Sequence, residues 1–173
     1  TNYAHRFPFF CVSVALERKG AVVLGVIYDP VREEMFTSVK GEGAFLNGEK
    51  IKVSDVPDLD KSLLSTGFPY DVRESKINNI DHFKHFVVRA QGIRRSGSAA
   101  LDLCYVGCGR FDGFWELKLQ PWDVAAGNLI VNEARGCVTD FQNREFSINE
   151  KEILATNGLI HQQMMEVLRL SKP

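Results

Sequence analysis

Pro121-Trp122-Asp123-Val124-Ala125-Ala126-Gly127-Asn128-Leu129-Ile130-Val131-Asn132-Glu133-Ala134 is the stretch on which the reading of the fold turns. Proline is pre-set for the first position of a helix, where its missing N–H removes no useful donor. The run that follows predicts a helix over 122–134. Asp123 then lies in the first turn, where free backbone N–H groups and the helix dipole favour negative charge. Beyond it the residues are small and apolar, so the helix can pack closely on a sheet. Taken alone, Asp123 is an acidic first-turn residue that stabilises its helix. The alternative is a metal ligand on a rigid platform, and the rest of the chain has to choose between them.

Upstream of this helix, Gly97-Ser98-Ala99-Ala100-Leu101-Asp102-Leu103 is a glycine leading into a second helix, over 98–106. Free N–H groups at such an N-terminus can hold an anion or a ligand hydroxyl, and small side chains allow close approach. The plainer reading is a Ser98 N-cap. Phe111-Asp112-Gly113-Phe114-Trp115-Glu116 reads as the end of a strand over 110–116, with Asp112, Phe114 and Glu116 on one side. Glu116 closes that strand seven residues before Asp123, so a strand–loop–helix turn can bring both carboxylates to one cleft.

The flanking pattern places these segments in a layered α/β protein. Apolar, β-branched runs over 9–17 and 21–28, separated by Arg18-Lys19-Gly20, read as a hairpin. A third strand follows over 34–39, and Asn47-Gly48 is a strong turn signal before a short strand over 50–53. Consecutive hairpins imply an antiparallel sheet over 1–60. Over 61–173, strands and helices alternate. Strands are expected over 63–66, 93–95, 137–141 and 153–156, with a closing helix over 160–170. Ile77, Ile80, Phe83, Phe86 and Val87 recur at helical spacing over 77–90.

Size and composition fit one ordinary globular domain: 173 residues, 45% hydrophobic and 25% charged, with a net charge of −1. The balance gives no electrostatic footprint for nucleic acid or an anionic membrane. No apolar run approaches the roughly 20 residues of a membrane span, and the first residues lack a signal-peptide pattern. Cys11, Cys104, Cys108 and Cys137 lie in apolar surroundings with no spacing that completes a metal site, which points to a reduced, cytoplasmic core. His82 and His85 are three apart on the 77–90 helix but lack an acidic partner motif, so solvated surface histidines are expected there. His5 reads as structural and His161 carries no signal. There is no nucleophile elbow, P-loop or zinc spacing. Arg94 and Arg95 precede the Gly97 segment and are candidates for a second phosphate, against the plainer reading of exposed basic residues.

Several of these segments, in this order, resemble one family. Thr1-Asn2-Tyr3-Ala4-His5-Arg6-Phe7-Pro8 is similar to the tail of the D-P-x-D-G-T-x-N-[FY]-x-x-x-[FY]-P segment of the inositol monophosphatase family. Trp122-Asp123 to Gly127, with Glu133-Ala134-Arg135-Gly136, resembles its W-D-x-A-A-G…E-A-x-G signature. The Gly97–Asp102 segment, Gly113–Glu116 and Lys40–Gly48 also look like family segments, so the resemblance runs through the whole chain. It implies an α/β fold, a layered αβαβα sandwich of the inositol monophosphatase and fructose bisphosphatase type, and a cytoplasmic homodimer without membrane or nucleic-acid partners. It further implies Mg²⁺-dependent, Li⁺-sensitive hydrolysis of a phosphate monoester, inositol 1-phosphate by default. Fructose bisphosphate, 3′-phosphoadenosine 5′-phosphate and a non-catalytic binding role are the alternatives. By the same resemblance Asp123 is the metal-binding and catalytic aspartate that also touches substrate. Glu116 binds a sugar or inositol hydroxyl, and Gly97, Ser98 and Ala99 line the substrate pocket. Two departures stand out. The D-P-x-D-G-T loop and an upstream glutamate, which hold the remaining metal ligands, are expected just before residue 1, so the 173 residues alone are expected to turn over little. Arg135 stands where the family commonly has glycine.

Overall fold

The computed structural model of the chain describes residues 1–170. Its first sheet is a five-stranded antiparallel meander in chain order: β1 (Val12–Arg18), β2 (Ala21–Asp29), β3 (Glu34–Val39), β4 (Gly43–Leu46) and β5 (Glu49–Ile51). Two of its hairpins close through paired left-handed residues, Lys19 and Gly20 (φ 54° and 78°) and Asn47 and Gly48 (φ 51° and 85°). That conformation suits the twist of the flanking strands. The strand β4 lies inside a run that reads from sequence as turns. Its pairing with β3 is supported from outside the sheet, because the Glu133 carboxylate accepts from the Gly41 and Gly43 N–H groups at 2.7 and 2.9 Å.

The second sheet is mixed, in the order β7 (Gly92–Arg94), β6 (Leu63–Thr66), β8 (Gly113–Leu117), β10 (Glu152–Thr156), β9 (Cys137–Thr139). The strand β6 runs parallel to both β7 and β8, whereas β8, β10 and β9 pair antiparallel. Between the sheets lie α2 (Ala99–Gly107) and α3 (Pro121–Glu133); α1 (Ile80–Val87) and α4 (His161–Arg169) cover the far side of the second sheet. Alternation along β8 divides the core. Phe114 joins Ile27, Phe36, Leu101 and Ile130 between the sheets, and Trp115 packs with Phe86 and Met164 on the α1–α4 side. The result is an α/β sandwich whose described residues supply four successive layers: sheet, helices, sheet, helices. On the outer face of the first sheet Val12, Val14 and Leu16 are more than half exposed, at 58%, 54% and 56%.

Close packing around α3 depends on absent side chains. A Cβ on Gly127 would come within 2.6 Å of Leu103, and one on Gly25 within 3.0 Å of the Ala126 backbone. Elsewhere several sequence-expected boundaries move. The first strand starts at Val12 rather than residue 9. The helix expected over 77–90 is only Ile80–Val87; at its start residues 77–79 form a bend in which Asn78 Oδ1 takes the Ile80 N–H. The strand expected from residue 110 begins at Gly113. Asp112 there is buried and committed elsewhere: its carboxylate accepts from the Leu63 N–H at 2.7 Å and the Ser54 hydroxyl at 2.5 Å. It therefore ties the 54–63 segment to β8 and is not a third carboxylate beside Glu116.

The end of α3 explains the departure at Arg135. The Gly136 N–H donates to Val131 O (2.9 Å) and the Arg135 N–H to Asn132 O (3.0 Å), which closes the helix in a Schellman turn. That turn requires a left-handed residue, and Arg135 is exposed at φ 69°. For a side-chain-bearing residue this conformation costs about 1–2 kcal/mol, and glycine adopts it freely. Arg135→Gly should therefore stabilise the fold by about 1 kcal/mol, seen as a rise of roughly 2–4 °C in a thermal melt.

Candidate active site

The carboxyl ends of β6 and β8 and the N-termini of α2 and α3 surround a cavity of ≈ 440 Å³. Asp123, Glu116, Gly97, Ser98 and Ala99 all line it, so the five positions singled out from sequence come together.

Each wall has a local cause. Asp123 is the third residue of α3, and its Oδ2 accepts from the Gln120 N–H at 3.0 Å, which fixes the side chain against the helix start. Among the described residues its other oxygen has no partner and is left for a ligand. The α2 segment begins at Gly97 (φ 85°), whose backbone is pinned by Asn2: the Asn2 amide donates to Ser96 O at 2.9 Å and Phe9 O at 2.8 Å. Ser98 occupies the N-cap position, but its hydroxyl caps nothing and lies 3.6 Å from Cys11 Sγ. The expectation of a simple serine cap is thus corrected. The first N–H groups of α2 have no intrahelical acceptor by helix geometry, and they border the cavity.

Glu116 is buried, with its carboxyl resting on Gly67, where any Cβ would overlap it. Burial is the main cause that raises its pKa from an ordinary 4.5 to about 8; the nearby Asp102 and Asp123 carboxylates add to it and Arg95 opposes it. Asp102, on α2, is 1% exposed and is raised from 3.8 to about 8, again chiefly by burial. A hydrogen bond from the Ser96 hydroxyl and the charge of Arg95 pull it the other way.

Sequence reasoning passed over Asp102, Gly67 and Asn2 as wall residues. Asp102 carried a signal, since it is the one charged residue in the apolar run Ala99–Val106. Asn2 stood only within the family-like segment Thr1–Pro8, and Gly67 carried no signal, because the Glu116 side chain that rests on it is distant in sequence. The basic pair divides: Arg95 lines the cavity, and Arg94 points elsewhere, with its guanidinium 3.3 Å from Ile93 O. His82 is corrected from a solvated residue to a half-buried one, its ring edge-on to Phe141 and its Nδ1 without a partner among the described residues. His161 is a buried structural residue held by Thr139 and Thr156 at 3.1 and 3.0 Å. All four cysteines are free thiols.

The described residues contain no cluster of three or more His, Cys, Asp or Glu that could hold a metal ion. What the cavity offers is one hard oxygen donor at a helix start. Mg²⁺ is commonly held by one or two carboxylates together with substrate phosphate oxygens, so Asp123 fits as one ligand of such an ion.

Comparison with known proteins identifies the family. The model of the inositol monophosphatase family matches residues 1–172. The chain is 46% identical over 168 residues to an inositol-1-monophosphatase of Synechocystis sp., covering 97% of this chain and 58% of that protein. It is 42% identical over 177 residues to the Nus factor SuhB of Pseudomonas aeruginosa, covering 100% and 65% respectively. Among solved structures, an inositol monophosphatase from Anabaena (Nostoc) sp. superposes with a TM-score of 0.96 at 50% identity, over 99% of this chain and 68% of that one. An α/β sandwich with a carboxylate-lined cavity at two helix starts is the class of protein the geometry defines. This chain belongs to the inositol monophosphatase family. It spans about three-fifths of the length of the two sequence relatives.

The two buried carboxyls make stability depend on pH. In the folded chain they stay protonated up to about pH 8, whereas in the unfolded chain they ionise near 4 to 4.5. The folded state binds more protons across that window, so stability falls as pH rises from about 4.5 to 8. Melts in chelator-treated buffer should show a Tm at least ~3 °C lower at pH 8 than at pH 5, about 1 kcal/mol for a chain of this size. Glu116→Gln should flatten the slope.

Proposed function

We propose that this chain carries part of the site of a Mg²⁺-dependent phosphatase that hydrolyses a phosphate monoester, inositol 1-phosphate first among candidates. The observation that carries the reading is the convergence of Asp123, Glu116 and the Gly97–Ala99 segment on one cavity in a member of this family. Asp123 would hold the ion. When bound, Mg²⁺ neutralises the phosphate and lowers the pKa of an attacking water.

The chain's own residues bind and orient. At neutral pH Glu116 is mostly a neutral acid, so its O–H can donate to a hydroxyl oxygen of a polyol while its carbonyl oxygen accepts from a second hydroxyl. The open N–H groups at the start of α2 face the same space and can take an anionic or hydroxyl oxygen. Arg95 supplies a positive charge at the cavity wall, suited to a phosphate oxygen. With Asp123 as its one ligand here, Mg²⁺ should bind the isolated 173 residues weakly in calorimetric titration. Cytoplasmic placement, homodimer formation and Li⁺ sensitivity belong to the same proposal; among the described residues no helix is long and apolar enough to cross a membrane.

The test is phosphate release from inositol 1-phosphate by the full-length polypeptide. Activity should vanish with a chelator and return with Mg²⁺. Asp123→Asn should lower kcat by about 100-fold or more, the scale of losing one electrostatic partner of the transition state. An unchanged kcat would sink the assignment. The relative named Nus factor SuhB favours a second reading, a binding role that does not use the cavity. A protein that turns over none of a panel of phosphate esters, fructose 1,6-bisphosphate and 3′-phosphoadenosine 5′-phosphate included, would favour that reading.

A further inference from the structure

We propose that Asn79 is a positioning residue for Glu116, acting through the Thr66 hydroxyl and the backbone of Gly67. The inference rests on the reading of Glu116 as the acid that binds a substrate hydroxyl.

Asn79 stands at the N-cap of α1 and is fully buried, yet its side chain makes no cap hydrogen bond. An N-cap asparagine ordinarily turns its oxygen onto the helix's free N–H groups. Here the amide points instead at the ends of β6 and β8. Its Nδ2 donates to Thr66 Oγ1 at 2.7 Å and to Gly67 O at 2.6 Å, and its Oδ1 accepts from Trp115 Nε1 at 2.7 Å. Thr66 has a single hydroxyl proton. With Asn79 donating to that oxygen, the proton goes to Trp115 O at 2.6 Å, in preference to Gly67 O at 3.4 Å.

Trp115 O belongs to the peptide that leads into Glu116, and Gly67 is the surface on which the Glu116 carboxyl rests. One amide therefore fixes both supports of the acid. Alternation along β8 sends Trp115 to the α1 side and Glu116 to the cavity, so a residue on the helix side can steer Glu116 only through backbone. A buried network with every member paired is rigid, and its partial loss is costly.

The experiment compares two substrates with the full-length polypeptide: inositol 1-phosphate, and p-nitrophenyl phosphate, which has no hydroxyl for Glu116. Asn79→Ser keeps a good cap residue and removes the amide; Thr66→Val removes the hydroxyl at nearly constant shape. Both should raise KM for inositol 1-phosphate about tenfold with kcat little changed, and should move kcat/KM for p-nitrophenyl phosphate less than about twofold. Thr66→Ser should restore the wild-type KM. Asn79→Ser combined with Glu116→Gln should be no worse than Glu116→Gln alone. Equal losses on both substrates, or additive losses in the double variant, would overturn the proposal and leave Asn79 a purely structural residue. A wild-type protein that hydrolyses neither ester would instead reject the phosphatase reading. The positioning claim then stands or falls on the backbone amide resonance of Glu116, which should shift in Asn79→Ser and Thr66→Val; unchanged resonances overturn it.

Discussion

The structure depends on how closely α3 approaches its neighbours. The helix carries Val124, Ala126, Ile130 and Val131 into a space bounded by both sheets and by α2. It can reach that depth only because Gly127 leaves room for Leu103 and Gly25 leaves room for the Ala126 backbone. Burying a large aliphatic side chain contributes about 1.5–3 kcal/mol, so several of them fix the helix firmly in place. The position of Asp123 follows from this. A carboxylate in the first turn of a helix clamped over its length has little freedom beyond its own rotamer, and Gln120 removes part of that.

Two kinds of acid then share the cavity. Asp123 sits at a helix start, with backbone N–H groups nearby and solvent within reach. Glu116 and Asp102 sit deeper, where burial favours the neutral form of each, and at Glu116 the neighbouring Asp102 and Asp123 add to it. The proposed site would use both kinds, the more accessible acid toward a cation and the buried ones toward hydroxyls. Arg95 moderates the pair without neutralising it, being exposed at the cavity wall.

Much of this was legible in the chain. Proline at 121, the small residues behind it, the glycine at 97 and the seven-residue spacing between Glu116 and Asp123 are local signals, each with a local physical cause. They located two helix starts and one strand end to within one residue, and the meander was marked by its turn residues. Illegible were features whose cause lies far away in sequence. The strand β4 needs Glu133 to hold the preceding turn, and Gly67 matters only because β8 lays Glu116 against it. Strand alternation set Asp112 on the side of Glu116, but only the fold shows that Ser54 and Leu63 hold its carboxylate.

Composition, periodicity and turn chemistry thus determined on their own the α/β class, the hairpin order of the first sheet and the helix starts that bear Asp123 and Ser98. These follow from backbone preferences over a few residues, which act before any tertiary contact exists. Only the packed structure decided that the acids meet in one cavity, that Glu116 and Asp102 are held neutral, and that Asn79 turns its amide toward the strands and away from its own helix. Those outcomes depend on desolvation and on hydrogen bonds between groups tens of residues apart, and such terms arise only when the layers close.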